Sequence, residues 1–298
     1  MQIGKYNFDL DNDPIIMGIL NVTPDSFSDG GKWNNMDAAL KHTEEMIKDG
    51  ARIIDVGGES TRPGYTLISD EEEIERVVPV INAIKERFDV CVSLDTYKTN
   101  VAKAGVEAGI DMVNDVWGFK WDKQDMADLV AKSGVAACVM HNKDNTNYES
   151  YVEDVLKEMK ESIDIAHKAG VKDSQIVLDP GVGFGKDYAQ NLSIIKHVDR
   201  LKEFGYPVLL GTSRKSVIGL TLWNTASPIN HRKLSMPAQN WLMSHKVFVP
   251  FSNRYKLSIQ LRKPRIKPPV IIAGISGAKI SASAVTTRCS TFWFFFAA

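Results

Sequence analysis

The strongest constraint on this chain is a regular alternation, over its first two thirds, of short apolar runs with longer amphipathic segments. Apolar runs rich in β-branched residues occur at 15–20, 52–56, 90–94, 112–116, 135–140, 176–178 and 208–210, and their length and composition predict seven strands. The intervening segments have helical spacing and recognisable ends. Residues 37–49 place Leu40, Met46 and Ile47 on one side and stop at Gly50. Ser69, with Glu72 three residues on, forms a capping box ahead of Ile74, Val77 and Val78. Pro79 is predicted to kink or split that helix, because it lacks an N–H and crowds the preceding turn. Further helices are predicted at 101–108, 125–132, 148–169 and 192–204.

Strands that alternate with helices form a parallel sheet, since parallel neighbours need a crossover connection. Such a sheet is either open and doubly wound or closed into a barrel. The polar residues favour closure. Asn21, Asp55, Asp95, Asn114, His141, Asp179 and Ser213 each stand at or just past the end of a successive strand, and a barrel gathers all those ends around one cavity. The expectation is an α/β fold of the TIM (β/α)8 type, with the eighth β/α unit missing or replaced.

Beyond Leu222 the alternation fails. All 37 acidic residues lie at or before Glu203, together with 23 of the 36 basic ones, and the remaining 95 residues carry 13 basic residues and no acid. Residues 223–298 are rich in Ser, Thr, Pro and basic residues and end in Phe-Trp-Phe-Phe-Phe. The candidate strand from Lys246 is interrupted by Pro250. We therefore divide the chain into a barrel of seven units at 1–222 and an atypical basic tail at 223–298, whose composition fits a shifted reading frame or a disordered segment. A basic extension gripping nucleic acid or an anionic membrane is the rival account of the tail; neither partner is expected.

The rest of the composition is ordinary for one globular domain, 44% apolar and 24% charged over 298 residues. Cys91, Cys138 and Cys289 are too few and too scattered for a disulfide framework or a zinc knuckle. Nothing resembles a signal peptide or a membrane span, so a soluble cytoplasmic protein is expected.

The motifs narrow the chemistry. Three strand-end carboxylates in register, Asp55, Asp95 and Asp179, with the amides of Asn21 and Asn114, suit a ligand rich in hydrogen-bond donors; a single one of them would pass as a helix cap. DVGGESTRPG at 55–64 combines Gly57 and Gly58, where backbone can approach a ligand, with Ser60, Thr61 and Arg62, which suit an anion; a flexible loop with a solvated arginine is the alternative. DPGVGFGK at 179–186 is not a phosphate loop of the Walker type, because Lys186 is followed by Asp187, and its glycine spacing is wrong for a dinucleotide fingerprint. It leaves a strand-end aspartate, a glycine turn and an aromatic lid candidate, Phe184. GTSRKS at 211–216 offers Ser213, Arg214, Lys215 and Ser216 to a phosphate, or else Lys215 as a fixed cation against a heterocycle. His141 and the other histidines lack metal-ligand spacing and read as structural.

Together these segments resemble the dihydropteroate synthase family. The matching stretches are 17–31, 55–64, Ser93-Leu-Asp-Thr96, Asn114-Asp-Val116, 179–186 and 211–216, in family order and at family spacing. The resemblance implies a barrel that joins a dihydropterin methyl diphosphate to 4-aminobenzoate, with magnesium as cofactor. It implies that Asn21 ligates the metal beside the diphosphate, and that Asp95, Asn114, Asp179 and Lys215 line the pterin pocket with Phe184. Thr61 and Arg62 would belong to the loops around the leaving group. Phe27, Thr61, Pro63 and Ser216 would form the 4-aminobenzoate pocket. Asp95, Lys215 and Arg62 would act on the charges that develop in the reaction. A methyltetrahydrofolate-binding methyltransferase shares pterin recognition, but the Thr-Arg-Pro-Gly and Ser-Arg-Lys-Ser elements argue against it. A non-catalytic pterin binder is the other alternative.

The resemblance also implies an eighth strand with an Arg-x-His motif that holds diphosphate, and helices that form a homodimer contact. No Arg-x-His follows Leu222, and those helices are not recognisable, so diphosphate binding, closure and pairing lack their usual residues. Weak or absent turnover is expected from such a chain.

Overall fold

The fold was taken from a computed structural model, which describes residues 1–10, 13–23, 32–59, 67–122, 125–213, 215–225, 245–249, 256–257 and 296–297. A two-strand hairpin, β1 (Gln2–Ile3) with β2 (Tyr6–Asn7), opens the chain. The alternation follows: β3 (Ile16–Asn21), α1 (Lys32–Lys48), β4 (Ala51–Gly57), α2 (Asp70–Arg87), β5 (Cys91–Asp95), α3 (Thr99–Glu107), β6 (Met112–Asp115), α4 (Asp125–Ser133), β7 (Ala136–Met140), α5 (Tyr151–Ala169), β8 (Ile176–Asp179), α6 (Tyr188–Lys196), β9 (Val208–Leu210) and α7 (Ser216–Thr225). All seven strands expected from the apolar runs are present, and β3 to β9 are parallel neighbours in chain order.

The eighth place in the sheet is filled, but not by a parallel unit. β10 (His245–Val249) pairs antiparallel with both β9 and β3 and closes the barrel. The free edges that loss of the family's last unit would leave on the first and seventh parallel strands are thus covered. The described strand ends at Val249.

Two helices differ from expectation for local reasons. α2 starts where the capping box places it, with the Ser69 hydroxyl accepting the Glu72 N–H at 3.2 Å. Pro79 lies inside it and does not split it; Val77, Val80, Ile81 and Ile84 hold the two halves against the sheet. The segment expected as one helix over 192–204 is instead α6, capped by Asp187, followed by a 3-10 stretch at Val198–Phe204.

The core has two parts. Between sheet and helices, residues such as Ile54, Val56, Leu94, Val113, Val139 and Leu178 face the apolar sides of the helices. Inside the barrel, Met17, Ile53, Cys91, Met112, Cys138, Val177 and Leu209 form a second cluster, closed from below by Ile3, Phe8 and Leu10. The hairpin is therefore a plug for the amino-terminal end of the barrel, and it leaves the opposite end as the open one. Phe8 is 2% exposed, so Phe8→Ala leaves a cavity under the barrel and should lower unfolding free energy by about 3–5 kcal/mol. Urea denaturation checks this; a loss below about 1 kcal/mol, the level of a surface change, would show that the plug is not part of the core.

Candidate functional site

Strand register assembles the polar residues at the carboxyl end of the barrel. Asn21 pairs with Gly57, Gly57 with Asp95, and Asp95 with Asn114, making one row across β3 to β6. The row continues to Cys138 on β7, and Asp179 stands opposite Met140 farther along. Residues remote in sequence thus converge because parallel strands share one direction.

One layer below the row, Asp55 is buried and both of its carboxylate oxygens are occupied. The Ser93 hydroxyl donates to Oδ1 at 2.8 Å and the Asn114 amide to Oδ2 at 3.0 Å. A carboxylate accepts only, so the Asn114 NH2 must face Asp55, which fixes which way the amide oxygen is presented. Asp55 was grouped from sequence with the other strand-end carboxylates, but it holds the site from beneath. Periodicity alone does not separate the two layers.

Gly57 lies between Asn21 and Asp95 in the strand register. A Cβ there would stand 3.4 Å from Asn21 Oδ1 and 3.9 Å from Asp95 Oδ2, so the two oxygens flank bare backbone. Asp179 is buried and its Oδ1 accepts the Gly181 N–H at 2.7 Å. Gly181 has φ +67, and a Cβ on it would lie 1.9 Å from the His141 carbonyl oxygen, so no other residue fits this turn. Phe184 is half-buried against the cluster of Tyr97, Val116 and Met140. The Lys215 ammonium lies 3.9 Å from the Phe184 ring centroid, a cation–π contact. Ser216 is exposed at the first position of α7. Phe27, Thr61, Arg62 and Pro63 lie outside the described residues, as does Arg214.

A buried chain that the sequence did not disclose runs beside Asp179. Lys186 Nζ is 2.8 Å from His141 Nδ1 and donates to the Phe184 carbonyl at 2.8 Å, while His141 Nε2 is 2.9 Å from Glu158 Oε2. Lys143 completes it, donating to Glu158 Oε1 at 3.0 Å. Burial lowers the Lys186 pKa to about 7 and the His141 pKa to about 4. The His141 hydrogen bond, with Lys143, holds Glu158 down at about 2. The structural reading of His141 agrees with this geometry: its ring spans two side chains inside the fold.

Among the described residues no group of three or more His, Cys, Asp or Glu could hold a metal ion. The oxygens of Asn21 and Asp95 beside Gly57 are hard donors of the kind magnesium takes, one or two from protein and the rest from water and phosphate, so the residues present fit that ion.

Residues 17–244 match the family described as pterin binding enzyme. The chain belongs to this family, among the dihydropteroate synthases. It is 61% identical over 222 residues to a dihydropteroate synthase of Clostridium beijerinckii, covering 74% of this chain and 82% of the relative. It is 50% identical over 208 residues to that of Bacillus subtilis, covering 70% and 73%. Among solved structures, a dihydropteroate synthase of Clostridium difficile in the presence of pteroic acid aligns with TM-score 0.70 and 52% identity, over 72% of this chain and 82% of that one. One from Xanthomonas albilineans with 4-aminobenzoic acid aligns with TM-score 0.68 and 41% identity, over 74% and 79%. Dihydropteroate synthases are transferases, and this chain is placed among them by its relatives. No helix among the described residues is long and apolar enough to cross a membrane.

The buried chain makes stability depend on pH. Lys186 titrates near 7 in the fold but at its ordinary value of 10.5 when exposed. Between those values the unfolded state binds more protons, so this group's contribution rises with pH. His141 and Glu158, both lowered, act in the same direction on the acid side, losing stability as pH falls below their unfolded values. Urea midpoints at pH 7 and pH 9 should therefore shift upward in the unaltered chain relative to Lys186→Met; the same trend in both proteins would contradict the assignment.

Proposed function

We propose that this chain joins 6-hydroxymethyl-7,8-dihydropterin diphosphate to 4-aminobenzoate, giving 7,8-dihydropteroate and diphosphate, a step of folate biosynthesis. The observation that carries the reading is the row of Asn21, Asp95 and Asn114, backed by Asp55 and joined by Asp179, in a chain whose relatives carry the same function by name. A pterin presents adjacent N–H donors on one edge. A fixed carboxylate such as Asp179 accepts two in parallel, and the Asn114 amide, oriented by Asp55, meets the ring edge beside it. Lys215, steadied over the Phe184 ring, complements the carbonyl and ring-nitrogen acceptors.

In the reaction the C–O bond to diphosphate breaks and takes its electron pair with the leaving group, while the amine lone pair forms the new C–N bond and its proton is released. Positive charge grows on the pterin methylene as the bond lengthens, and Asp95 is the carboxylate placed to stabilise it. Asn21, at the head of the same row, would hold magnesium through its amide oxygen, and the ion, when bound, would supply positive charge for the diphosphate leaving group. By the family resemblance Arg62 and Thr61 would act on the leaving group, and Phe27, Thr61, Pro63 and Ser216 would hold the amine for attack, where positioning supplies much of the rate.

A second reading, a pterin binder with little turnover, is favoured by one observation. The strand in the eighth place is His245–Val249, antiparallel and without the Arg-x-His that the family carries there.

Calorimetry with the pterin, followed by an assay for 4-aminobenzoate-dependent diphosphate release, tests both. Asp179→Ala should weaken pterin binding by about 100-fold, the loss of paired charge-assisted hydrogen bonds. Tight binding with 4-aminobenzoate-dependent product supports the transferase; binding with no product supports the binder; unaltered pterin affinity in Asp179→Ala refutes the pocket in both.

A further inference from the structure

The turn that follows β8 touches two groups of opposite charge at the mouth of the barrel. Gly181 donates its N–H to Asp179 Oδ1 at 2.7 Å. A Cβ on Gly183 would stand 2.7 Å from Lys215 Cδ, so the Lys215 stem lies against bare backbone, and its ammonium rests on the Phe184 ring. The place of this one turn thus sets the spacing between a carboxylate that ends β8 and an ammonium that follows β9.

Lys186 closes the turn and folds back beneath it. It is 9% exposed. Its amine donates to the Phe184 carbonyl at 2.8 Å and lies 2.8 Å from His141 Nδ1 and 3.4 Å from the His141 carbonyl. A Cβ on Gly181 would come within 3.3 Å of the same amine. His141 follows β7, and its Nε2 is 2.9 Å from Glu158 on α5. A carboxylate only accepts, so the ring proton sits on Nε2 and Nδ1 accepts from Lys186. The amine therefore ties the turn to the neighbouring strand end and, through the ring, to the helix layer.

Stability does not account for this lysine. Its partners are uncharged, and burying an ammonium among uncharged partners costs free energy; that burial lowers its pKa to about 7. A neutral amine still has two hydrogens, one for each of its contacts at 2.8 Å. What the side chain supplies is a fixed place for the turn, since both contacts are met only when Phe184 and His141 stand at one separation.

We propose that Lys186 is a positioning residue for pterin recognition: by tying the Phe184 carbonyl to His141 it holds the 181–186 turn, and through that turn it holds Asp179 and Lys215 at one spacing. The ligand given to Asp179 and Lys215 rests on the pterin pocket above, which the transferase and the binder share.

The test uses the full chain. Lys186→Met should speed deuterium uptake at residues 181–186 by about tenfold, as local opening becomes easier. It should weaken pterin binding, read by calorimetry, by about tenfold, the effect of one hydrogen bond. A substitution that merely loosens the fold weakens binding equally in any background, whereas a residue that acts through Asp179 is coupled to it. In an Asp179→Ala background the same change should therefore cost about threefold at most. Tyr148→Phe removes the hydroxyl that donates to the Gly185 carbonyl at 2.7 Å. It should move both readouts the same way by less, and it carries the test if Lys186→Met does not fold. Unchanged uptake, unchanged pterin affinity, or the full loss in the Asp179→Ala background overturns the proposal. Should the unaltered chain bind no pterin, the pocket itself is refuted and the ligand role of Lys186 goes with it, while uptake at 181–186 separately decides whether the lysine holds the turn.

Discussion

The site depends on one carboxylate buried beneath it. Asp55 spends both oxygens on neighbours, Ser93 on β5 and Asn114 on β6, so three strands are linked at their carboxyl ends by side chains as well as by backbone. A charged acceptor roughly doubles the strength of such bonds. With its amide held from below, Asn114 presents a fixed face above, and the row from Asn21 to Asn114 inherits that rigidity. The preorganisation is what a reaction with little proton chemistry needs, because its catalyst must already be aimed at charges that appear only as the bond breaks.

The same end of the barrel separates two kinds of support. Strand residues are held by the sheet, whose register they cannot change without turning their side chains to the other face. Residues on the connections need local anchors, and the structure supplies one to the connections after β4, β6 and β8. Asp115 accepts the N–H groups of Trp117 and Phe119, holding Phe119 at φ +65. Burial raises the Asp115 pKa to about 6. Asn191 accepts the Gly183 N–H at 2.6 Å, and Glu59 with Lys98 grips Ile68. Each anchor is a polar group placed where apolar packing would give no preferred direction.

Much of this was legible in the sequence. The seven strands follow from apolar runs of the right length, α2 begins at the Ser69 capping box, and the strand-end polar residues mark the functional end of the barrel. What was hidden has a common cause. Asp55 and Asp95 obey the same pattern, yet one lies under the site and the other beside it, a difference made by two residues of strand advance. Lys186, His141 and Glu158 are far apart in sequence and meet only through packing. Glu59 and Lys98 lie 39 positions apart, and neither carries a motif of its own. The eighth strand was obscured because Pro250 interrupts the apolar run in the sequence and because nothing local distinguishes an antiparallel strand from a parallel one.

The plug beneath the barrel has a consequence for how such a chain is made. Ile3, Phe8 and Leu10 leave the ribosome long before their partners Val177 and Leu209 have been synthesised. During elongation these first apolar residues have no cavity to enter, because the cavity does not exist until the last parallel strand has joined. The order of translation therefore runs against the order of burial, and the plug segment remains a greasy hook, available to holding factors, until the barrel above it is made.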